Sequence, residues 1–166
     1  MSLKPASISS ITAASRTDGS NNTQVSLFYT YRTGDRTDIA MSGLKCTKGA
    51  ASCSEVTSSL ITKGSAEKVH SQSAIAAVWL EDMKSLRVYY QSETGSIMEL
   101  GGDGSAESTW TTRDMGGRAV DGSGLAVSVA PGPILNVFYA SYPNGLPAVS
   151  MFTGDWLARM SSPNFW

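Results

Sequence analysis

A five-residue strand motif returns along the chain. Leu86-Arg87-Val88-Tyr89-Tyr90 is matched 49 residues later by Leu135-Asn136-Val137-Phe138-Tyr139. A looser copy, Val25-Ser26-Leu27-Phe28-Tyr29, ends 61 residues before Tyr90. Apolar and polar positions alternate in the central copy, the period of a half-buried strand. A second segment precedes each motif. Ala74-Ile75-Ala76-Ala77-Val78 aligns with Ser123-Gly124-Leu125-Ala126-Val127, again 49 apart, and Ile8 to Ala14 is the expected counterpart in the first copy. Late segments also match: Gly104 to Trp110 in the second unit and Gly154-Asp155-Trp156 in the third. Each unit thus holds about four short strands in roughly 50 residues, the size of a propeller blade, and such units bury their apolar faces only by stacking. The expected fold is all-β and β-propeller-like, with about three four-stranded blades forming one domain over 4–166 (repeats approximately 4–65, 66–115 and 116–166). The first spacing exceeds the second by 12 (61 − 49), and the excess falls on the segment with Cys46 and Cys53, which reads as an insertion.

The central motif opens a hairpin. Glu93-Thr94-Gly95 places a glycine where a three-residue loop wants a positive φ. With Gln91 set across from Gly95, Arg87 falls opposite Glu99 and the two side chains share a face. A guanidinium beside a carboxylate offers donors and acceptors together, which a polyhydroxylated ligand can use. Tyr89 and Gln91 lie on the same face by alternation and are candidate lining residues. A plain cross-strand ion pair, worth about 0.2–1 kcal/mol, would explain Arg87 and Glu99 as well. Tyr90 reads as core, with Tyr29 and Tyr139 as its equivalents. Trp79 and Trp110 are candidates to cover the apolar side of a ligand, although packing within a blade accounts for both.

Gly/Ser-rich stretches at Ser15 to Thr23, Gly101 to Ser108 and Asp114 to Gly124 read as loops, and Pro131-Gly132-Pro133 as a tight connector. Ser52 to Lys63 fits a short helix or a strand equally. Charged residues make up only 16%, low for a helical surface and suited to a turn-rich β protein. A net charge of -1 gives no basic field for nucleic acid. No run of eighteen apolar residues is present to span a membrane. No secretory leader is visible, and Met1-Ser2-Leu3 reads as an expression leader in place of the natural start. Cys46 and Cys53 fit a small loop disulfide in an oxidising compartment, with two free thiols as the alternative. Two cysteines and the distant His70 cannot make a tetrahedral metal site. No cofactor is expected. Asn21-Asn22-Thr23 is a weak glycosylation motif. The carboxylates are scattered and no G-x-S-x-G elbow occurs, so an enzyme is not expected.

On Ala74 to Trp79, Leu86 to Gln91 and Gly95 to Leu100, the chain resembles the fungal fucose-specific lectins of the Aleuria type. The resemblance implies a six-bladed β-propeller that binds fucosylated glycans between blades without catalysis. It implies that Arg87 contacts sugar hydroxyls, that Glu99, twelve residues on, accepts from a hydroxyl, and that an aromatic from Trp79 or Trp110 covers the sugar. The third repeat departs from the pattern, with Asn136 in the place of Arg87 and Ala148 in that of Glu99. The first has Ser26 in the Arg place and Asp38 near the Glu place. One binding pair therefore survives, and the alternative is a degenerate lectin fold serving protein interaction or structure. Three blades cannot close a ring that needs at least four, so a homodimer closing the propeller is expected, with a fragment of a longer propeller, or a divergent chain with more strands in the first 60 residues, as the alternative. Terminal Phe165-Trp166 would begin a further strand or seal an edge. Fucosylated glycans are the expected partners, and a secreted or extracellular setting the expected location, with a cytoplasmic one as the alternative.

Overall fold

The computed structural model describes residues 10–17, 22–46, 53–62, 65, 67–80, 85–105, 108–131, 134–152 and 159–161. Among them the chain is built of strands, with no helix. Three four-stranded antiparallel sheets follow one another. The first holds β1 (Ile11–Thr17), β2 (Thr23–Thr33), β3 (Arg36–Cys46) and β4 (Cys53–Leu60). The second holds β5 (Ile75–Trp79), β6 (Leu86–Gln91), β7 (Ser96–Gly102) and β8 (Thr111–Arg118). The third holds β9 (Ala126–Ala130), β10 (Ile134–Ala140), β11 (Pro147–Phe152) and β12 (Arg159–Ser161). Each sheet is a simple meander in chain order, so each is a blade. The first strands pack side by side, β1 against β5 and β5 against β9, which sets the blades as successive vanes.

Alternation along each strand decides which blade a side chain meets. In blade 2, Leu86, Val88 and Tyr90 pack with Phe28, Ile39 and Met41 of blade 1 in one core cluster. Tyr89, Ala76 and Ile97, on the opposite face, pack with Val137 of blade 3 in another. Blade 2 is therefore buried on both faces, as its run of buried residues in β6 shows. The connectors repeat as well. His70 N–H donates to Gln91 O, and Val120 N–H donates to Ala140 O. The Ser73 hydroxyl accepts from Gln91 N–H at 2.8 Å, and the Ser123 hydroxyl accepts from Ala140 N–H at 2.8 Å. A serine just ahead of the first strand thus ties a blade's entry to its second strand.

Several sequence-based expectations change. The extra length of the first unit is not confined to an insertion at the cysteines: β2 and β3 each run to 11 residues, against 6 and 7 for β6 and β7, and the connector from β4 to β5 (61–74) is longer than that from β8 to β9 (119–125). Cys46 and Cys53 face each other across β3 and β4 and are joined as a disulfide. The stretch left open as helix or strand carries β4. The glycines of the second unit misled the loop reading, because Gly101 and Gly102 lie in β7 and residues 114–118 in β8. Ser15 to Thr17 likewise belong to β1. The late strands begin after the tryptophan segments rather than within them. Ile8, Asn21, Gly132, Pro133, the Gly154-Asp155-Trp156 segment and Phe165-Trp166 lie outside the described residues.

Candidate functional site

The β6–β7 hairpin turns as the glycine signal requires, with Gly95 at φ 85°. Its register differs from expectation. Ser92 N–H donates to Ser96 O and closes the three-residue loop, so Gln91 pairs with Ile97, Tyr89 with Glu99 and Arg87 with Gly101. The expected direct pairing of Arg87 with Glu99 is corrected to a diagonal one. The slip is two residues on the partner strand, and side chains alternate with period two, so both stay on the same face.

That face looks toward blade 3 and carries a cavity of about 400 Å³, lined by Arg87, Glu99, Gly101, Thr111, Thr112 and Arg113. Three cross-strand positions build it. Gly101 lies between Arg87 of β6 and Thr111 of β8, and Glu99 lies between Tyr89 and Arg113. Gly101 forms the floor: a Cβ there would come within 3.1 Å of an Arg87 Nη and 3.3 Å of the Thr111 hydroxyl. Arg87 Nε stands 3.7 Å from Glu99 Oε1, with the side chains 13% and 4% exposed. This is no solvated surface pair. The Tyr89 phenol donates to Glu99 Oε2 at 2.8 Å. Burial, and then the Glu99 charge beside it, hold the Tyr89 pKa far above its ordinary value, so the phenol stays a donor. Burial also raises the Glu99 pKa, against the lowering effects of the Tyr89 hydrogen bond and of the Arg87 and Arg113 charges.

The six candidate residues divide. Arg87 and Glu99 line the cavity. Tyr89 stands behind Glu99 and is fully buried. Gln91 is also fully buried, and its side chain is spent on the blade 2–blade 3 connector: Nε2 donates to Ala119 O and Val120 O, and Oε1 accepts from Gly122 N–H. Trp79 and Trp110 lie on the other face of the sheet, toward blade 1. Trp79 packs in the blade 1–blade 2 core under the Arg16 guanidinium, 4.2 Å from its ring centroid, and Trp110 meets Phe28 edge-on at 6.3 Å. No described residue lining the cavity is aromatic. Sequence reasoning missed Arg113, Thr111 and Thr112. They enter only through the β7–β8 pairing, which the loop reading of Gly101 to Ser108 and Asp114 to Gly124 had hidden.

The other two blades offer no such pair. In blade 1 the position equivalent to Tyr89 is Phe28, and it pairs with Met41, so Met41 rather than Asp38 occupies the Glu99 place. Asp38 pairs with Tyr31 and is held by Arg36 at 3.0 Å and by the Thr62 hydroxyl. In blade 3 the turn is longer, closed by Ser141 N–H to Leu146 O, so Val149 rather than Ala148 pairs with Phe138. Among the described residues, no group of three or more His, Cys, Asp or Glu side chains is placed to hold a metal ion. No described helix is long and apolar enough to cross a membrane.

The sequence matches no protein-family model and no curated relative. Solved structures do match. AofleA from Arthrobotrys oligospora superposes with a TM-score of 0.68 at 18% identity, over 95% of this chain and 43% of its own. The Aleuria aurantia lectin, a fungal six-bladed β-propeller described with a fucose recognition mode, matches with a TM-score of 0.60 at 15% identity, over 93% and 45%. A fucose lectin from Kordia zhangzhouensis, solved with methyl-fucoside, matches with a TM-score of 0.58 at 11% identity, over 92% of this chain and 100% of its own. The chain spans somewhat under half of the two fungal lectins it matches. At these identities the likeness is one of fold: three blades arranged as in a six-bladed β-propeller lectin.

Proposed function

We propose that this chain is a carbohydrate-binding lectin that takes fucose, or a fucosylated glycan, in the cavity over Gly101. The observation that carries the reading is the nearly buried Arg87–Glu99 pair. Placing both charges on the wall of a cavity has a desolvation cost that a surface pair would avoid. A sugar hydroxyl can donate to Glu99 while accepting from Arg87, so a polyol ligand fits the charges the fold has placed there. Tyr89 fixes one Glu99 oxygen and leaves the other directed at Arg87. The threonine hydroxyls and Arg113 extend the polar wall. The fucose lectins of the same fold support the choice of sugar, and the Arg/Glu spacing of twelve agrees with the family pattern.

With no aromatic in the described lining, binding rests on charge-assisted hydrogen bonds. Affinity for a monosaccharide should lie between millimolar and micromolar, about 4–8 kcal/mol. One site per chain calls for assembly, and a homodimer would give two sites and avidity. The disulfide between Cys46 and Cys53 favours an extracellular setting. The second reading, a lectin fold without sugar binding, is favoured by the missing Arg/Glu pair in blades 1 and 3. Calorimetric titration with methyl-α-L-fucoside separates the two. The proposal expects one sugar per chain and a loss of about 10- to 100-fold in affinity for Arg87→Ala, the 1.5–3 kcal/mol of a hydrogen bond to a charged group. No heat with the folded wild type, or equal affinity for both proteins, favours the second reading.

A further inference from the structure

The cavity over Gly101 is charged unevenly. Two guanidinium groups, Arg87 and Arg113, line it with one carboxylate, Glu99. The described lining is therefore one charge positive, in a chain whose net charge is -1. The carboxylate already has work on both oxygens: Tyr89 donates to Oε2 at 2.8 Å, and Oε1 faces Arg87 Nε at 3.7 Å. Arg113 sits across from Glu99 on β8, so the two cations flank the one anion from neighbouring strands. Their settings differ. Arg87 is nearly buried, while Arg113 and Thr111 are exposed and form the rim. Asp114, the next residue along β8, faces away from the cavity. It pairs with Met98, which packs toward blade 1, and its Oδ1 accepts from Gly116 N–H.

We infer that the ligand of this cavity carries an anionic group, a sulfate or a carboxylate, which Arg113 receives at the rim. The inference rests on the sugar-binding reading above and narrows its ligand class. A hydroxyl held by Arg87 and Glu99 lies over β6 and β7, and a substituent reaching one strand further, about 5 Å, comes to β8 and Arg113. A guanidinium presents paired N–H donors that match two oxygens of a carboxylate or sulfate, and such charge-assisted bonds are about twice as strong as neutral ones. The neighbouring hydroxyl does not compete for this role. Thr111 donates its proton to Gly101 O at 3.3 Å, so at the rim it offers an acceptor, and the donors for an anion are those of the arginine. A neutral sugar would leave the excess positive charge of the lining to solvent, whereas an anionic one neutralises it. Fucose itself bears no acid. The anion is therefore a sulfate ester on the sugar or a carboxylate on the next residue of the glycan.

The test is calorimetric titration of the full chain at low salt with matched neutral and anionic sugars. Methyl-α-L-fucoside is compared with its mono-O-sulfates, and a fucosyl-glucose disaccharide with its fucosyl-glucuronic acid counterpart. At least one anionic sugar should bind about 10-fold tighter than its neutral counterpart, the worth of one hydrogen bond to a charged group. A gain with a sulfate puts the anion on the fucose, and a gain with the glucuronate puts it on the next sugar. The advantage should shrink as salt is added, because an exposed ion pair is screened. In Arg113→Gln, shown to be folded by circular dichroism, the preference for the anionic sugar should vanish. Neutral sugar bound with no gain for any anionic one overturns the inference and leaves the sugar-binding reading standing. A preference that persists in Arg113→Gln, or that salt does not weaken, also overturns it. Heat from none of these sugars overturns both.

Discussion

Glu99 is the residue on which the site turns. It is 3% exposed, hydrogen-bonded by Tyr89 and flanked by Arg87 and Arg113. Desolvation nonetheless raises its pKa above the ordinary glutamate value. Two consequences of opposite sign follow. As pH falls, Glu99 protonates earlier than an ordinary glutamate and loses its strength as an acceptor, so fucoside affinity should drop while other carboxylates remain ionised. Stability moves the other way. A group whose folded pKa lies above its unfolded one binds more protons when folded between the two values, so its contribution to stability improves as pH falls through that window. Measured against Glu99→Gln, wild-type stability should therefore gain on acidification while wild-type affinity falls. A stability difference that is flat or of opposite slope would contradict the burial argument. Arg87 and Glu99 were legible in the sequence because the register slipped by an even number of residues, which leaves both on one face. Arg113 was not, since nothing local marks a residue that reaches the site only through the pairing of the next strand.

At the scale of elements, Gln91 shows how a strand residue can look like a ligand contact and act as a clasp. It shares a face with Arg87, which is all that the sequence pattern can say. Past the end of the cavity that face meets the connector into blade 3, and the amide closes on Ala119 O, Val120 O and Gly122 N–H. Gln91→Ala would leave these groups without the amide, and the buried one, Ala119 O, sets a cost of about 1–3 kcal/mol. Urea unfolding would measure it, and a loss under about 1 kcal/mol would refute the clasp. Fucoside affinity of the folded variant should stay within about twofold of wild type, below the worth of one hydrogen bond. Trp79 and Trp110 teach the same lesson from the other side. Both are one face away from the cavity, and only the strand register reveals it. The glycine-rich stretches failed as loop signals for a different reason. Gly101 and Gly102 are small because side chains crowd over them, Arg87 at the first and Trp110 at the second.

At the scale of the molecule, the repeat carried the architecture. A period near 50 residues with four strand-sized segments allows few arrangements other than stacked blades. It also located the face of blade 2 that carries the Arg87–Glu99 pair. The sequence could not show what the disulfide unit adds, because longer strands and an inserted loop leave the same excess in a repeat count. The account as a whole has one blade-to-blade surface sealed by apolar packing and one that also carries a polyol site. A glycan array competed with L-fucose, run on wild type and Arg87→Ala in parallel, tests its central claim most directly. The account predicts binding to fucosylated glycans that free fucose displaces and that Arg87→Ala loses while remaining folded. An array left blank by the folded wild type, or fucose-competed binding that persists in Arg87→Ala, would contradict it.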